Sequence, residues 1–287
     1  MGKPCQPGTL RYFTFLGSRT MSHLSAVVDR INLNEMRKAS SVLHYSQTEE
    51  LSQAERAALD RVADQVRGKR ILDIGVGGGR TVRALLDVSH DYVGVDNCQA
   101  MIDACQRRYP GVNFQHADAR AMTMLADASV DLAMFSCNGI GMVAHQDRLQ
   151  IMSEVHRVLK PGGYFLFSTH NKNCPDSTAI FKLPQVAFSP NPVRLAVRLA
   201  RAVGRTALRM ARRLRMRKHE VRNSEFAMIN DVCHDYGVML YYITLDRQRL
   251  QLEQMGFCPN AQAFALDGNP ARNESRDSSI MLIARKP

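Results

Sequence analysis

Ile71-Leu72-Asp73-Ile74-Gly75-Val76-Gly77-Gly78-Gly79-Arg80 is the stretch that decides how this chain reads. An apolar run with strand character ends in an acid and then turns through glycines at alternate positions. Glycine lets backbone approach a ligand closely, and a helix that follows such a loop offers free N–H groups at its start. The stretch therefore predicts a strand, a cofactor loop and a helix, in that order. A dinucleotide fingerprint needs Gly-x-Gly-x-x-Gly. Gly75 and Gly77 supply its first two glycines, but the last position is Arg80.

Working outward, four further segments follow in order. Asp91-Tyr92-Val93-Gly94-Val95-Asp96 predicts a second strand closing on Asp96, 19 residues after Gly77. A carboxylate there can accept hydrogen bonds from both hydroxyls of a ribose. Val112–Ala119 predicts a third strand running into Asp118, and Val130–Gly139 a fourth strand with its loop. Arg157–Ser168 predicts the end of a helix, a turn at Pro161-Gly162-Gly163 and a fifth strand. Singly, these have plainer uses: glycines after strands make tight turns, and Asp96 and Asp118 suit helix caps. Neither turns nor caps require this order and spacing.

The pattern Asp73-x-Gly75-x-Gly77-x-Gly79, followed by Asp96, Asp118, the fourth-strand loop and the Pro-Gly-Gly turn, resembles the class I S-adenosylmethionine-dependent methyltransferases. Phe135–Gly141 and Ser168–Asn171 are similar to a bacterial small-molecule branch of that family. The resemblance implies S-adenosyl-L-methionine as cofactor and a Rossmann-like α/β sheet with helices on both faces. It assigns cofactor contacts to Asp73, Gly75, Gly77, Gly79, Asp96, Asn97, Asp118, Ala119, Ser136 and Asn138. Asp118 would meet the adenine amino group, and the loop after the fourth strand would bring methyl donor and acceptor together.

Composition agrees with an α/β enzyme. At 287 residues and 45% hydrophobic content the chain can bury a full core. Met1-Gly2-Lys3-Pro4-Cys5-Gln6 lacks the apolar core of a signal peptide, and Gln6 fails the Ser/Thr requirement for myristoylation, so a cytoplasmic protein is expected. The 7 cysteines are scattered without a Cys-x-x-Cys pair, which argues against a metal site or a disulfide framework.

Four regions are expected. Residues 1–67 form an N-terminal segment and helical lid. Residues 1–22 carry no clear periodicity, whereas Leu24, Val27, Val28 and Ile31 share one helical face and Tyr45 is placed to cover a bound nucleoside. Residues 68–171 form the cofactor-binding core, with helices over roughly 79–88, 98–109 and 146–159. Residues 172–244 form an inserted cap, and residues 245–287 complete the sheet. The last region holds a helix with Asp246 as N-cap and Gly256 past its end, then strands at 260–266 and 279–285, the last antiparallel by the resemblance.

The cap is the least readable region. Pro175, Pro184, Pro190 and Pro192 delay regular structure until Val193. From there to Lys218 arginines at 194, 198, 201, 205, 209 and 212 recur at helical spacing, predicting a basic amphipathic helix with a bend at Gly204. Between 190 and 222 eleven Lys and Arg face the single acid Glu220, so this stretch carries ten of the chain's +11 net charge. Three uses are open to it: a solvated face packed on the core, peripheral contact of 193–218 with anionic membrane, or nucleic-acid contact. The last is argued against by the lack of interleaved aromatics. Residues 225–229 and 238–244 predict a strand pair closing the cap.

In-line methyl transfer depends on positioning, and a hydroxyl acceptor gains from a general base. His170, after the fifth strand, is the first candidate base and His145, after the fourth-strand loop, the second. The function expected is methyl transfer to oxygen or nitrogen of a small-molecule acceptor, of secondary-metabolite or glycan type. The alternatives are an RNA-modifying methyltransferase, or a non-catalytic cofactor-binding module for membrane or protein contact. Oligomeric state is not readable.

Overall fold

Period-two burial along the strands sets the layers. The computed structural model of the protein describes residues 18–175, 183 and 185–287. The first strand, β1 (Ile71–Ile74), buries Leu72 and Ile74 in one apolar cluster and Ile71 in another, so each face of the sheet needs its own cover of helices. One cover is α6 (His145–Val158) and α8 (Leu245–Gln254), whose Ile151, Val155 and Leu252 pack on Leu72, Val95 and Phe165. The other is α3 (Gln53–Val66), α4 (Val82–Leu86) and α5 (Gln99–Arg108), with Leu59, Leu85 and Ile102 against Ile71 and Leu132.

The parallel core runs β3 (Phe114–His116), β2 (Tyr92–Asp96), β1, β4 (Val130–Phe135), β5 (Leu159–Asn171). β10 (Ser279–Arg285) lies antiparallel to β5, with Ser279 opposite His170, and β9 (Gln262–Phe264) pairs on β10. Parallel strands joined by helices place their carboxyl ends, and the loops that follow them, along one edge. The Pro161-Gly162-Gly163 turn sits inside β5 as a bulge: Val130 pairs with Leu159 and Leu132 with Tyr164.

Several elements differ from the sequence reading. α4 starts three residues later than expected at its N-terminus, because the glycines before it are in left-handed backbone that cannot begin a helix. The N-cap of α8 is Thr244, and Asp246 falls in the first turn, where an acid faces the positive end of the helix dipole. The strand pair, β7 (Phe226–Asp231) and β8 (Val238–Ile243), does not stand apart as a cap: β8 runs parallel to the end of β5, with His170 opposite Tyr242, so the pair extends the main sheet. A short β6 (Val221–Arg222) completes that edge.

The N-terminal helix α1 (Ser18–Met36) begins inside the stretch that showed no periodicity, while residues 1–17 and Pro184 lie outside the described residues. Its Leu24, Val28 and Ile31 pack on Phe226, Met239 and Tyr241, and Asn32 bonds the backbone of Met142 and Met239. A second helix, α2 (Ala39–Ser46), follows it.

The basic helix is α7 (Pro192–Met216), capped by the Asn191 side chain and unbroken through Gly204. Arg205 and Arg209 pair with Asp235, and Arg212 donates to the carbonyl of His234. Those contacts fasten an unusual turn between β7 and β8, in which His234, Asp235 and Tyr236 all take positive φ of 51–60°. Further along, Arg213 pairs with Glu220. Among the described residues no helix is long and apolar enough to cross a membrane.

Candidate cofactor and acceptor sites

The loop after β1 turns through Gly75, Gly77 and Gly79 at φ 62°, 56° and 86°, the left-handed region that favours glycine. The Asp96 carboxylate at the end of β2 accepts from Gly77 N at 2.9 Å and from Cys98 N at 2.8 Å, tying the two strand ends together. A Cβ on Gly75 would stand 2.5 Å from Phe135 Cε2, so β4 also closes on the loop. Asp73 lies beneath, fully buried. It accepts from Thr81 Oγ1 at 2.5 Å and from the Tyr92 hydroxyl at 2.9 Å. Burial pushes its carboxyl up to about 6, against the pull of those two donors.

Over this loop lies a cavity of about 170 Å³. Seven of the residues singled out by sequence line it: Gly75, Gly77, Asp96, Asn97, Asp118, Ala119 and Ser136. Three do not. Asp73 and Gly79 support the loop from below, the latter packed against Tyr109 and Cys105, and Asn138 lines a neighbouring cavity. Asp29, Asn32, Leu33 and Met36 of α1, with Tyr45 of α2, line the same space from the N-terminal side.

Other residues of this wall escaped the sequence reading. Arg120 donates to both Asp118 oxygens and to Asp29, and stands 3.2 Å from Asp147, so one guanidinium joins β3's loop, α1 and α6. Arg80, read only as a mismatch to the dinucleotide fingerprint, lines the cavity beside Ser136 and pairs with both oxygens of the buried Glu55 at 2.7 and 2.8 Å. Burial raises the Glu55 carboxyl, but the Arg80 pairing outweighs it and holds Glu55 below its ordinary range. Local sequence marks Glu55 only as the partner of Ser52 in a Ser-x-x-Glu helix cap and Arg120 only as a neighbour of Asp118; their ties to Arg80, Cys137, Asp29 and Asp147 are distant in the chain and carry no local signal.

This wall fits S-adenosylmethionine. Asp96 is a half-buried carboxylate with lone pairs left after two backbone bonds, available to ribose hydroxyls. Val95, Met101 and Ile151 give an apolar slot for an adenine, and Arg80, its charge matched by Glu55, lines the far side of the cavity.

The loop after β4 separates this cavity from a second one. Cys137 and Asn138 take φ of 52° and 56°, costly for residues with a Cβ, and are held there by several bonds. Cys137 N donates to Glu55 Oε1 at 3.2 Å and Asn138 N to Ser168 Oγ at 2.6 Å, while Ser279 donates to Asn138 Oδ1 at 2.7 Å. Beneath, the fully buried Arg148 donates to the Ile140 carbonyl at 3.0 Å, and burial lowers its guanidinium to about 10. Cys137 lines the first cavity and Asn138 the second.

That second cavity, of about 230 Å³, is mixed in character: His170, Asp231, Arg213 and Arg222 line it beside Ile229, Val232 and Tyr242. His170 stacks on Tyr242 with ring centroids 4.9 Å apart, and the Tyr242 hydroxyl donates to Asp231 at 2.7 Å. Burial holds the His170 imidazole well below its ordinary range, and the Asp231 carboxylate opposes that in part. His170 is thus neutral near pH 7, with a ring nitrogen free of a proton but a weaker base than an exposed imidazole. His145 is placed elsewhere. Its ring is stacked on Phe226 at 4.2 Å, its Nδ1 is 2.8 Å from the Tyr241 hydroxyl, and it lines neither cavity.

Comparison with known proteins fits this arrangement. A family model described as a methyltransferase domain matches residues 71–163. A Mycolicibacterium smegmatis protein named "Probable S-adenosylmethionine-dependent methyltransferase" is 34% identical over 113 residues, covering 39% of this chain and 42% of that one. Phthiotriol/phenolphthiotriol dimycocerosates methyltransferase 1 of Mycobacterium ulcerans is 34% identical over 108 residues, covering 36% of this chain and 38% of its own. The chain thus spans less than half the length of these curated relatives. Among solved structures, Burkholderia thailandensis 1,6-didemethyltoxoflavin-N1-methyltransferase, bound to 1,6-didemethyltoxoflavin and S-adenosylhomocysteine, shares the fold with a TM-score of 0.55. It is 14% identical, over 93% of this chain and 90% of that one. The glycine loop, its tie to Asp96 and the matched segment agree: residues 71–163 of this chain match a methyltransferase domain, within a fold shared with an S-adenosylhomocysteine-bound methyltransferase structure.

Proposed function

We propose that the chain transfers a methyl group from S-adenosylmethionine to an oxygen or nitrogen of a small molecule held beside His170. One observation carries this reading: the cofactor-fitting cavity and the cavity beside His170 meet across two consecutive residues, Cys137 and Asn138. A donor on one side and an acceptor on the other would come together at that loop. When bound, the cofactor supplies a sulfonium methyl open to in-line displacement. The chain's own work is positioning, and the bonds from Glu55, Ser168 and Ser279 favour one geometry for the loop.

In this reading Asp96 holds the ribose, Asp118 with Arg120 flanks the adenine, and Arg80 faces the amino-acid end. Helices α1 and α2 act as a lid, with Tyr45 over the glycine loop, while α3 belongs to the core. His170 accepts the acceptor's proton, and Asp231 stabilises the imidazolium that results. Arg213, Arg222 and Asp231 in the wall of the cavity beside His170 offer polar contacts to an acceptor of secondary-metabolite or glycan type. The RNA reading is weakened because Arg205, Arg209, Arg212 and Arg213 of α7 turn to the protein's own acids and carbonyls. A non-catalytic module would have no need of the titratable groups in the second cavity.

The test is untargeted mass spectrometry of metabolite extracts incubated with the protein and isotope-labelled S-adenosylmethionine. A labelled small molecule that forms with the unaltered protein and not with His170→Ala supports the reading. Label confined to RNA, or none at all in a protein that binds the cofactor, would reject it.

A further inference from the structure

The helical spacing of arginines along α7 implies that its apolar side packs inward. The reverse is found. Arg205, Arg209, Arg212 and Arg213 face the protein, and the opposite side, from Val193 through Val203 to Leu214, is turned outward. Val193 and Val203 are each 70% exposed, Leu214 66% and Leu199 49%. In the segment before the helix Phe188 is also 80% exposed, and its carbonyl accepts from Arg198 at 2.9 Å. A 25-residue helix with such a face is not a solvated surface helix, since exposed apolar patches of this extent mark interaction sites.

Charge chooses the occupant. Arg194, Arg201, Arg215, Arg217 and Lys218 are exposed along or just beyond the same helix. At its C-terminal end Arg212, Arg215 and Lys218 meet Arg30 and Lys38 around a cavity of about 460 Å³ in which Glu35 is the single acid. A second copy of the chain packed through this face would bring those cations together, which like-charge repulsion opposes. A nucleic acid would satisfy the cations and leave the apolar row in water. An anionic bilayer surface satisfies both, because an interfacial helix buries its apolar face at the acyl boundary while Lys and Arg reach the headgroup phosphates. The helix is too polar to span and is suited to lie flat.

We infer that α7 seats the protein on anionic phospholipid membrane, with Val193, Val203 and Leu214 entering the bilayer surface. On its inner side the same helix contributes Arg213 to the wall of the acceptor cavity, so a membrane-bound protein holds that cavity close to the lipid.

The experiment is co-sedimentation of the full chain with vesicles of phosphatidylglycerol and phosphatidylcholine, beside vesicles of phosphatidylcholine alone. The unaltered protein is expected on the anionic vesicles at low salt and released as salt rises. Val193→Gln with Val203→Gln and Leu214→Gln, three exposed positions outside both cavities, should lower the bound-to-free ratio at least about tenfold while S-adenosylmethionine affinity stays unchanged. The inference is overturned if the unaltered protein ignores anionic vesicles at low salt or if the triple variant binds them as well. It is equally overturned if the triple variant converts a vesicle-inert dimer to monomer, or if only salt-sensitive RNA binding is found.

Discussion

Gly78 and Tyr45 are in backbone-to-backbone contact: a Cβ added at Gly78 would fall well inside van der Waals distance of the Tyr45 carbonyl and the Ser46 nitrogen. The end of α2 therefore rests directly on the glycine loop, and the N-terminal helices and the cofactor cavity share one wall. Gly78→Ala has no relief except to lift α2. We expect it to weaken S-adenosylmethionine binding at least tenfold and to destabilise by about 1–3 kcal/mol. Gly204→Ala, with open space around it, should be neutral or stabilising by about 0.5–1 kcal/mol. Thermal melts and calorimetry on the pair check this.

The Arg80–Glu55 pair is buried and bidentate, and Glu55 also fixes Cys137 N and the Ser52 cap of α3. Glu55→Gln should cost about 3–5 kcal/mol by leaving the guanidinium unpaired in a dry site. The Glu55 carboxyl is held below its ordinary range, so its stabilisation is present above that range and is lost as pH falls through the folded-state value. Acid titration of the melting temperature should show a loss that the variant lacks.

Asp73 has the opposite sign. Its carboxyl, pushed up by burial to about 6, favours folding while protonated, and that contribution fades as pH rises from about 4 to about 6. The stability difference between the unaltered protein and Asp73→Asn should therefore change by about 2 kcal/mol across that window. A difference flat with pH in denaturant unfolding would remove Asp73 as a perturbed group.

If His170 is the base for a hydroxyl acceptor, His170→Ala should lower turnover by about 10²–10⁴ with cofactor affinity nearly unchanged. His145→Ala should lower it far less, since its ring is engaged with Tyr241 and Phe226 outside both cavities. With the imidazole held low by burial, the acid limb of kcat should lie well below pH 6.5. A limb at the ordinary histidine value would contradict that environment.

The core of the fold was legible because strand, glycine loop and acid follow one another locally: Ile71 to Gly79, Tyr92 to Asp96 and Val130 to Ser136 each contain their own signal. What could not be read depends on partners far along the chain. The arginine spacing in α7 gives an amphipathic helix but not its direction, which is fixed by Asp235 and Glu220 across the β7–β8 edge. The strand pair was readable from its apolar run, while its union with β5 rests on the His170–Tyr242 register that no local pattern carries. The links of Arg120 to Asp29 and of Glu55 to Arg80 span the chain in the same way, although Ser52-x-x-Glu55 is itself a local cap signature. His145 ranks behind His170 in sequence because helix capping also explains its segment, and its engagement with Phe226 and Tyr241 outside both cavities separates the two.

The central claim is that the cavity between the glycine loop, Asp96 and the N-terminal helices holds S-adenosylmethionine. Calorimetric titration of the unaltered protein and of Asp96→Ala tests it most directly. Saturable binding is predicted for the former and a loss of about 2–4 kcal/mol for the latter, as charge-assisted bonds to ribose disappear. The variant should melt at a lower temperature yet remain folded, because the Gly77 and Cys98 N–H groups lose their acceptor. Unchanged affinity in a folded Asp96→Ala, or no binding to the unaltered protein, would contradict the account.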